Sequence, residues 1–306
     1  MKKLREEFAD TLLELGPKDS RIVVMVGDIS HGILQPFAKA CPGRYFNIGI
    51  CEPAMVNIAS GISKVGLIPV IHTIAPFIIE RAYEQIKLDF GYQKLPVNLV
   101  SVGGSFDYAQ LGCSHHCYTD VSLISHLSRG VVVMPGSSIE FNKLFTDIYS
   151  ENNINYFRLS EQSHGVNFRR EDIKFGEGIK IQDGKDVTIA VVGSQLKNAM
   201  NAAELLKSDG ISTEIIYFHT IKPFDKKIIR ESLMKTKRLV TLEELSEHDG
   251  LFNVSIKSSI GIDGLRCEQI AIKDFIHGYG SYEDLCKKSG LDHHAVYAAV
   301  KKIVNI

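Results

Sequence analysis

The sequence predicts an α/β protein of two domains, each a mostly parallel sheet with helices on both faces. Three observations predict it. Short β-rich runs alternate with helical patterns through about the first 160 residues. The alternation fades into a polar, charged, glycine-bearing stretch after residue 164 and resumes at residue 186. The length of 306 residues suits two domains of ordinary size. The boundaries follow as 1–165 for the first domain, 166–185 for a linker and 186–306 for the second domain.

In the first domain, strands are expected at residues 22–26, 45–48, 68–72, 97–102, 130–134 and 155–159. Helices are expected near 3–15, 33–40, 53–64, 79–90, 120–127 and 138–150. In the second, strands are expected near 187–192, 212–217, 238–242 and 266–272, with helices near 195–207, 251–259, 282–288 and 294–303. No internal repeat or low-complexity tract interrupts them. In such folds the active site lies at the carboxyl ends of strands.

Composition excludes several classes. Lys and Arg number 35 against 36 Asp and Glu, so no basic footprint for nucleic acid exists. No apolar run reaches the roughly 18 residues of a membrane span. The N-terminal residues are charged without an apolar signal core behind them, so a cytoplasmic protein is expected. Six scattered cysteines read as reduced thiols.

Glu52 is the first candidate for chemistry. It stands where the run 45–48 gives way to a helix, with Pro53 at the first helical position, where its missing N–H costs nothing. The helix behind it is apolar or small on nearly every face (Ala54, Met55, Val56, Ile58, Ala59, Gly61, Ile62), so burial all round is expected. A carboxylate opening a buried element is costly unless paired. Desolvation favours the neutral form, and a carboxyl holding a proton near neutrality is a tool for moving protons. The plainer reading is a helix-start carboxylate favoured by the dipole.

The second candidate is the loop 103–120, which follows an apolar strand and carries His115 and His116. Together with Cys113 and Cys117 they invite a metal reading, but a second ligand pair of suitable spacing is missing, and no metal is assigned to this chain. A histidine that hydrogen-bonds substrate or acts as acid or base competes with a structural loop histidine. The third stretch, 73–85, offers Phe77 as a stacking platform, with a core role as the plainer alternative; Arg81 and Glu84 read as a solvated or interface face. Dinucleotide and nucleoside-triphosphate glycine motifs and the G-x-S-x-G elbow are missing, and the single Gly193 after an apolar run is a weak phosphate signal.

In this order the three stretches resemble the second half of transketolase, the related deoxyxylulose-phosphate synthases and the split transketolases made of two chains. The family pattern F-N-x-G-I-x-E reads F-N-I-G-I-C-E at 46–52, followed by the apolar helix with A-x-G. The pattern T-F-x-x-F…R-A-Y-[DE]-Q corresponds to 73–85, and G-x-T-H-Q reads G-C-S-H-H at 112–116. In the second domain, residues 243–251 are similar to E-E-H-x-x-x-G-G-L, and the tail at 282–292 also fits.

The resemblance implies a thiamine diphosphate enzyme, with a pyrimidine-binding domain followed by a transketolase C-terminal domain. It implies that Glu52 bonds N1′ of the cofactor's aminopyrimidine and, by sharing a proton there, favours the imino form that takes the proton from the thiazolium carbon. It places Phe77 on the pyrimidine ring, adds Ile50 and Arg81 as cofactor contacts, and sets His115 against the donor's carbonyl or hydroxyl groups. His116, Asp28 and Gln110 fall on the substrate side. The family's G-D-G…N motif for diphosphate and Mg²⁺ is missing, since Gly27-Asp28-Ile29 lacks the second glycine and a spaced asparagine. The resemblance therefore implies a partner, an N-terminal-half transketolase subunit that carries this motif, and an active site across an α2β2 interface.

Three departures bear on substrate. Gly103 stands where the family has a histidine, Leu111 where it has an acidic residue, and Glu161 where an arginine holds the substrate phosphate. Exchanging a bidentate cation for a carboxylate argues against an ordinary sugar phosphate. The expected activity is transfer of a two-carbon ketol or acyl unit to an aldehyde or ketone, with a nucleotide-linked sugar or a ketoacid as candidate substrates. Two alternatives stand beside it: the β subunit of a 2-oxoacid dehydrogenase E1 component, and a non-catalytic regulatory subunit that kept the fold. The G-x-[ST]-H loop and R-A-Y-E-Q favour transketolase over the first; Glu52, Phe77 and His115 together count against the second.

Overall fold

A computed structural model describes residues 2–304. The first stretch of alternating elements folds as a sheet of six parallel strands: β1 (Ile22–Val26), β2 (Tyr45–Asn47), β3 (Ile68–Ile74), β4 (Val97–Val102), β5 (Gly130–Val133) and β6 (Ile154–Arg158). Four of them bury every residue (β1, β4, β5, β6), because helices cover both faces. The second sheet contains β7 (Ile179–Gln182), β8 (Val187–Val192), β9 (Thr213–Phe218), β11 (Arg238–Ser246) and β12 (Arg266–Ile272), in the order β12-β11-β8-β9-β7. β10 (Thr220–Lys222) crosses over: it follows β9 in the chain yet pairs antiparallel with β5, so the first sheet reads β10-β5-β6-β4-β3-β1-β2.

The helices are α1 (Leu4–Leu15), α2 (His31–Ala40), α3 (Glu52–Lys64), α4 (Tyr83–Gln85), α5 (Asp120–Ser125), α6 (Ser138–Ile148), α7 (Leu196–Ser208), α8 (Lys226–Thr236), α9 (Leu251–Ser259), α10 (Tyr282–Lys288) and α11 (His293–Val304). One apolar cluster joins α1, α2 and α6 through Phe8, Phe37 and Phe145 on one face of the first sheet. The cluster on the other face runs from Met55 and Val56 of α3 through Met134 to Ile216 and Phe218 of the second sheet, so the two units share a core.

Five features depart from the sequence reading, the crossing strand β10 being one. The expected helix 79–90 starts earlier, at Pro76, and contains wide turns on either side of α4, over Pro76–Glu80 and Ile86–Tyr92. The amide of Arg81, for example, bonds the carbonyl of Pro76 at 3.0 Å, five residues back. Such turns insert an extra residue and re-aim side chains. The polar stretch 166–185 holds β7, an antiparallel edge strand on β9 whose half-buried Ile179 and Ile181 alternate with Lys180 and Gln182. Its short, two-faced pattern is easily lost among charges. α8, unforeseen, is capped by Asp225, whose carboxylate accepts from the amides of Lys227 and Ile228. Finally, α3 is not buried all round: Ala54, Ile58 and Gly61 form one exposed face of this chain.

The topology creates the site. The chain leaves β1 for β2 on one side and returns to β3 on the other, so β1 and β3 are neighbours at a switch point. Crevices outside the carboxyl ends of strands form at such points. Residues after β1, β2, β3 and β4 all meet there.

Candidate functional site

Glu52 opens α3 immediately after β2 and is 1% exposed. Its position is set by the strand-end loops. Asn47 accepts from the amides of Asp28 (3.1 Å) and Gly49 (3.0 Å) and donates to the Asp28 carboxylate (2.9 Å), tying the ends of β1 and β2 together. Gly27 is needed there for close approach: a β-carbon on it would stand 2.9 Å from Thr73 Oγ1 and 3.5 Å from Glu52 Oε1. One oxygen of Glu52, Oε2, accepts from Arg81 Nη1 at 2.9 Å; Oε1 and the neighbouring Thr73 hydroxyl have no hydrogen-bond partner. Two orphaned polar atoms side by side are uncommon in a buried site and mark it as unfinished.

Phe77 and Arg81 come from the wide turn after β3. The Arg81 guanidinium lies over the Phe77 ring, 4.2 Å from its centroid. The ring meets His115 edge to face at 5.1 Å, and His115 in turn meets Tyr108 at 6.2 Å. Ser114 Oγ lies 3.0 Å from His115 Nδ1. A wall of rings thus runs from the carboxylate of Glu52 to Tyr108, all on loops after β2, β3 and β4.

The loop that carries His115 is anchored in the second unit. Phe106 is fully buried and Ala109 nearly so, in the core formed by Val187, Leu196 and Leu242. Arg158 at the end of β6 reinforces it, donating to Asp120 Oδ2 (2.8 Å), the Cys117 carbonyl (2.9 Å) and the Glu244 carbonyl (3.3 Å). Asp107 accepts from Ser160 Oγ and the Glu161 amide, each at 3.0 Å. Asp107 keeps some surface open, yet dense protein around it and the nearby charge of Glu244 push its carboxyl up to about 8.

Of the residues singled out in the sequence, Glu52, Phe77, Arg81 and His115 are brought together. Asp28 stands beside them, exposed and braced by Asn47. Ile50 forms the rim, 71% exposed. Gln110 is exposed, and His116 points away: its buried ring packs edge-on against Phe106 at 5.5 Å, and burial lowers its pKa. The motif at 243–251 proves structural. Glu243 accepts from the amides of Leu251 (2.5 Å) and Phe252 (3.0 Å), capping α9, while Glu244 accepts from Ser194 Oγ (2.8 Å), Gln195 and Tyr282.

Arg5 was missed. Its Nε donates to Ser30 Oγ (2.7 Å), and Ser30 Oγ lies 2.6 Å from His72 Nε2. His72 Nδ1 must donate to the Val100 carbonyl at 2.8 Å, so Nε2 accepts from Ser30. Complete burial lowers His72 to about 3, so it stays neutral. This relay holds Arg5 near Tyr108, and the guanidinium has no carboxylate partner among the described residues. The signal was available: a cation in the first turn of α1 opposes the helix dipole and asks for a reason.

A cavity of about 670 Å³ between the two units, lined by Arg129, Lys222 and Lys257 among others, contains none of these residues. Around the buried Glu52 stand the exposed Asp28, Ile50 and Arg81. Among the described residues, no helix is long and apolar enough to cross a membrane.

Known proteins resemble this chain along most of its length. Residues 1–165 match the family "Transketolase, pyrimidine binding domain" and residues 176–296 match "Transketolase, C-terminal domain". A chain of Methanocaldococcus jannaschii named for the C-terminal section of a transketolase is 31% identical over 301 residues, covering 96% of this chain and 94% of that one. A 6-deoxy-6-sulfo-D-fructose transketolase subunit of Clostridium sp. is 28% identical, covering 98% and 94%. The solved structure of a split gene transketolase, an inactive β4 tetramer, superimposes with a TM-score of 0.87 at 30% identity, covering 99% and 98%. The match to the pyrimidine binding domain spans more than half of the 306 residues, and the chain belongs to the transketolase family.

Proposed function

We propose that this chain is the pyrimidine-binding subunit of a split, thiamine diphosphate-dependent transketolase, transferring a two-carbon ketol or acyl unit to an aldehyde or ketone acceptor. The observation that carries the reading is the Glu52 carboxylate: buried, tied by one oxygen, and left with an unpartnered oxygen beside Gly27 at the switch point. An orphaned buried acceptor fits a heterocycle that presents a protonated ring nitrogen. When bound, thiamine diphosphate supplies a carbon nucleophile that stores the transferred unit.

The residues of this chain then have distinct tasks. Glu52 shares a proton with the pyrimidine nitrogen. Phe77 offers an aromatic face for stacking. His115, half-buried in the middle of the ring wall, is placed to hydrogen-bond a donor's carbonyl or hydroxyl. Arg5 supplies a fixed cation for an anionic substituent. Glu161 pairs loosely with Lys3 at 3.6 Å, so the substrate's charge would be met from α1 rather than from residue 161. A relative that acts on a sulfonated sugar supports acceptance of sugars other than ordinary phosphates.

The diphosphate and Mg²⁺ belong, on this reading, to a partner subunit that carries the G-D-G…N motif, in an α2β2 assembly of the cytoplasm. Phe46 and Ile58, 43% and 48% exposed, border Glu52 with Ile50 and give such a partner an apolar face to cover. The test is Glu52→Gln in the reconstituted pair. Ketol transfer should fall by about 10²–10⁴-fold with the fold intact. Near-normal activity would sink the assignment; acyl transfer to a lipoyl domain would move it to the dehydrogenase class.

A further inference from the structure

We propose that Arg81 is a stand-in for the cofactor's aminopyrimidine: a positioning residue that holds Glu52 and the face of Phe77 until it yields to a bound ring. The inference rests on the thiamine diphosphate reading above. A guanidinium and an aminopyrimidine share the features these two residues recognise. Both are flat, both carry an N–C–N edge with N–H donors, and both stack on aromatic faces.

Arg81 uses all of these features at once. Its Nη1 donates to Glu52 Oε2 at 2.9 Å, and its Cζ lies 4.2 Å from the Phe77 centroid. Phe77 and Arg81 are four residues apart on the wide turn, whose Arg81-to-Pro76 bond sets both side chains on the same side. A ring stacked on that face of Phe77 and bonded to the unpartnered oxygen of the same carboxylate would occupy the space the guanidinium fills over Phe77.

The arrangement is also reversible. The Arg81 side chain is 45% exposed, against 1% for Glu52, and it makes no other side-chain hydrogen bond or ion pair among the described residues. The guanidinium end of the pair faces solvent, so it can swing out when a ring takes its place on Phe77 and Glu52. Without Arg81, Glu52 would carry a buried charge with no partner before the cofactor arrives. The side chain thus keeps the carboxylate oriented in the empty subunit and competes with the ligand for the same place.

The experiment uses the reconstituted complex and its Arg81→Met variant, with thiamine diphosphate and Mg²⁺ as the probe and calorimetric binding as the readout. Removing the competitor should tighten the Kd by about fivefold. In the cofactor-free chain, Arg81→Met should lower the melting temperature, and adding Glu52→Gln to it should restore most of the loss. Unchanged or weaker cofactor binding by Arg81→Met overturns the inference. A wild-type complex that binds no thiamine diphosphate overturns the functional reading itself.

Discussion

Tyr108 fills the space above Gly103: a β-carbon on Gly103 would stand 2.3 Å from Tyr108 Cε2 and 2.5 Å from Cδ2. Gly103 also has φ of +74°, a conformation that L side chains rarely adopt. The ring that rests on it forms the far end of the wall reaching Phe77 through His115. Gly103→Ala should therefore cost about 2–3 kcal/mol, from backbone strain and from the clash. In a Tyr108→Ala background the strain and a close approach to Ile74 Cγ2 at 3.1 Å should remain, about 1 kcal/mol. Urea unfolding of the four chains measures the coupling, and additive effects would refute the packing argument.

The hydroxyl of Tyr108 makes no hydrogen bond among the described residues, and burial raises its pKa, so it remains a donor at neutral pH. Tyr108→Phe keeps the ring on Gly103 and removes only that donor. In the reconstituted complex it should raise KM for a ketose donor about three- to tenfold with kcat nearly unchanged, the size expected for one neutral hydrogen bond. Equal loss of kcat and kcat/KM would instead give the hydroxyl a role in the chemical step.

Arg158 and Asp120 form a buried pair, 3% and 0% exposed, with Tyr156 donating to the same Asp120 oxygen at 2.5 Å. Removing the cation alone leaves a buried carboxylate uncompensated. Arg158→Met should cost about 3–5 kcal/mol, whereas Arg158→Met with Asp120→Leu should recover much of it. Because the pair also grips the Cys117 carbonyl, the single variant should loosen the His115 loop, visible as faster amide exchange at residues 113–117.

Stability should depend on pH through Asp107. The folded carboxyl titrates at about 8 against an ordinary 3.8, so between these values the folded state holds a proton that the unfolded chain has lost. Its contribution is present in full below about pH 4 and is lost as pH rises toward 8. Glu243, raised to about 7 by burial, acts in the same direction. His72, lowered to about 3, acts oppositely and adds stability from pH 3 up to about 6.5. Asp107→Asn removes this titrating carboxyl, so the difference between variant and wild type isolates it. That difference should change across the window by up to about 1.4 kcal/mol per pH unit in favour of the variant. Parallel profiles from pH 5 to 8 would contradict it.

How far the sequence revealed this site depends on the kind of signal each residue carries. Glu52 was legible because a carboxylate before Pro53 and an apolar helix breaks a local rule. Phe77 and His115 were legible only in company, since neither is unusual alone. Tyr108 and Gly103 were opaque, because their relationship is a contact across a loop with no periodic pattern. Arg5 left one sequence signal, its place in the first turn of α1, but the relay that gives it a position runs through Ser30 and His72, distant in sequence. In the fold, the long parallel strands were clear from their apolar runs. β7 and β10 were not: β7 alternates half-buried apolar residues with polar ones inside a charged stretch, and the three-residue β10 gains its partner from the other unit.

The face of α3 that the sequence assigned to a core is exposed in this chain, and it is the surface the proposed partner would cover. Ala54, Ile58 and Gly61 share one side of the helix, and Ile50 stands 71% exposed at its start. Leu88 and Tyr92, 46% and 83% exposed, stand on the adjoining helical run. A helix apolar on all sides but wet on one is explained if a partner covers that side. Ile58→Glu places a charge at its centre. As a surface change in the free chain it should alter stability by no more than about 0.5 kcal/mol. It should nevertheless abolish co-elution with the partner subunit, and with it thiamine diphosphate-dependent turnover, because the buried carboxylate would face an apolar contact unpaired. Ile260→Glu is the control: Ile260 is 74% exposed just past α9 in the second unit, and its substitution should leave assembly intact. If Ile58→Glu assembles normally, the partner docks elsewhere, and Glu52 would lie too far from the interface to serve a site shared by two chains.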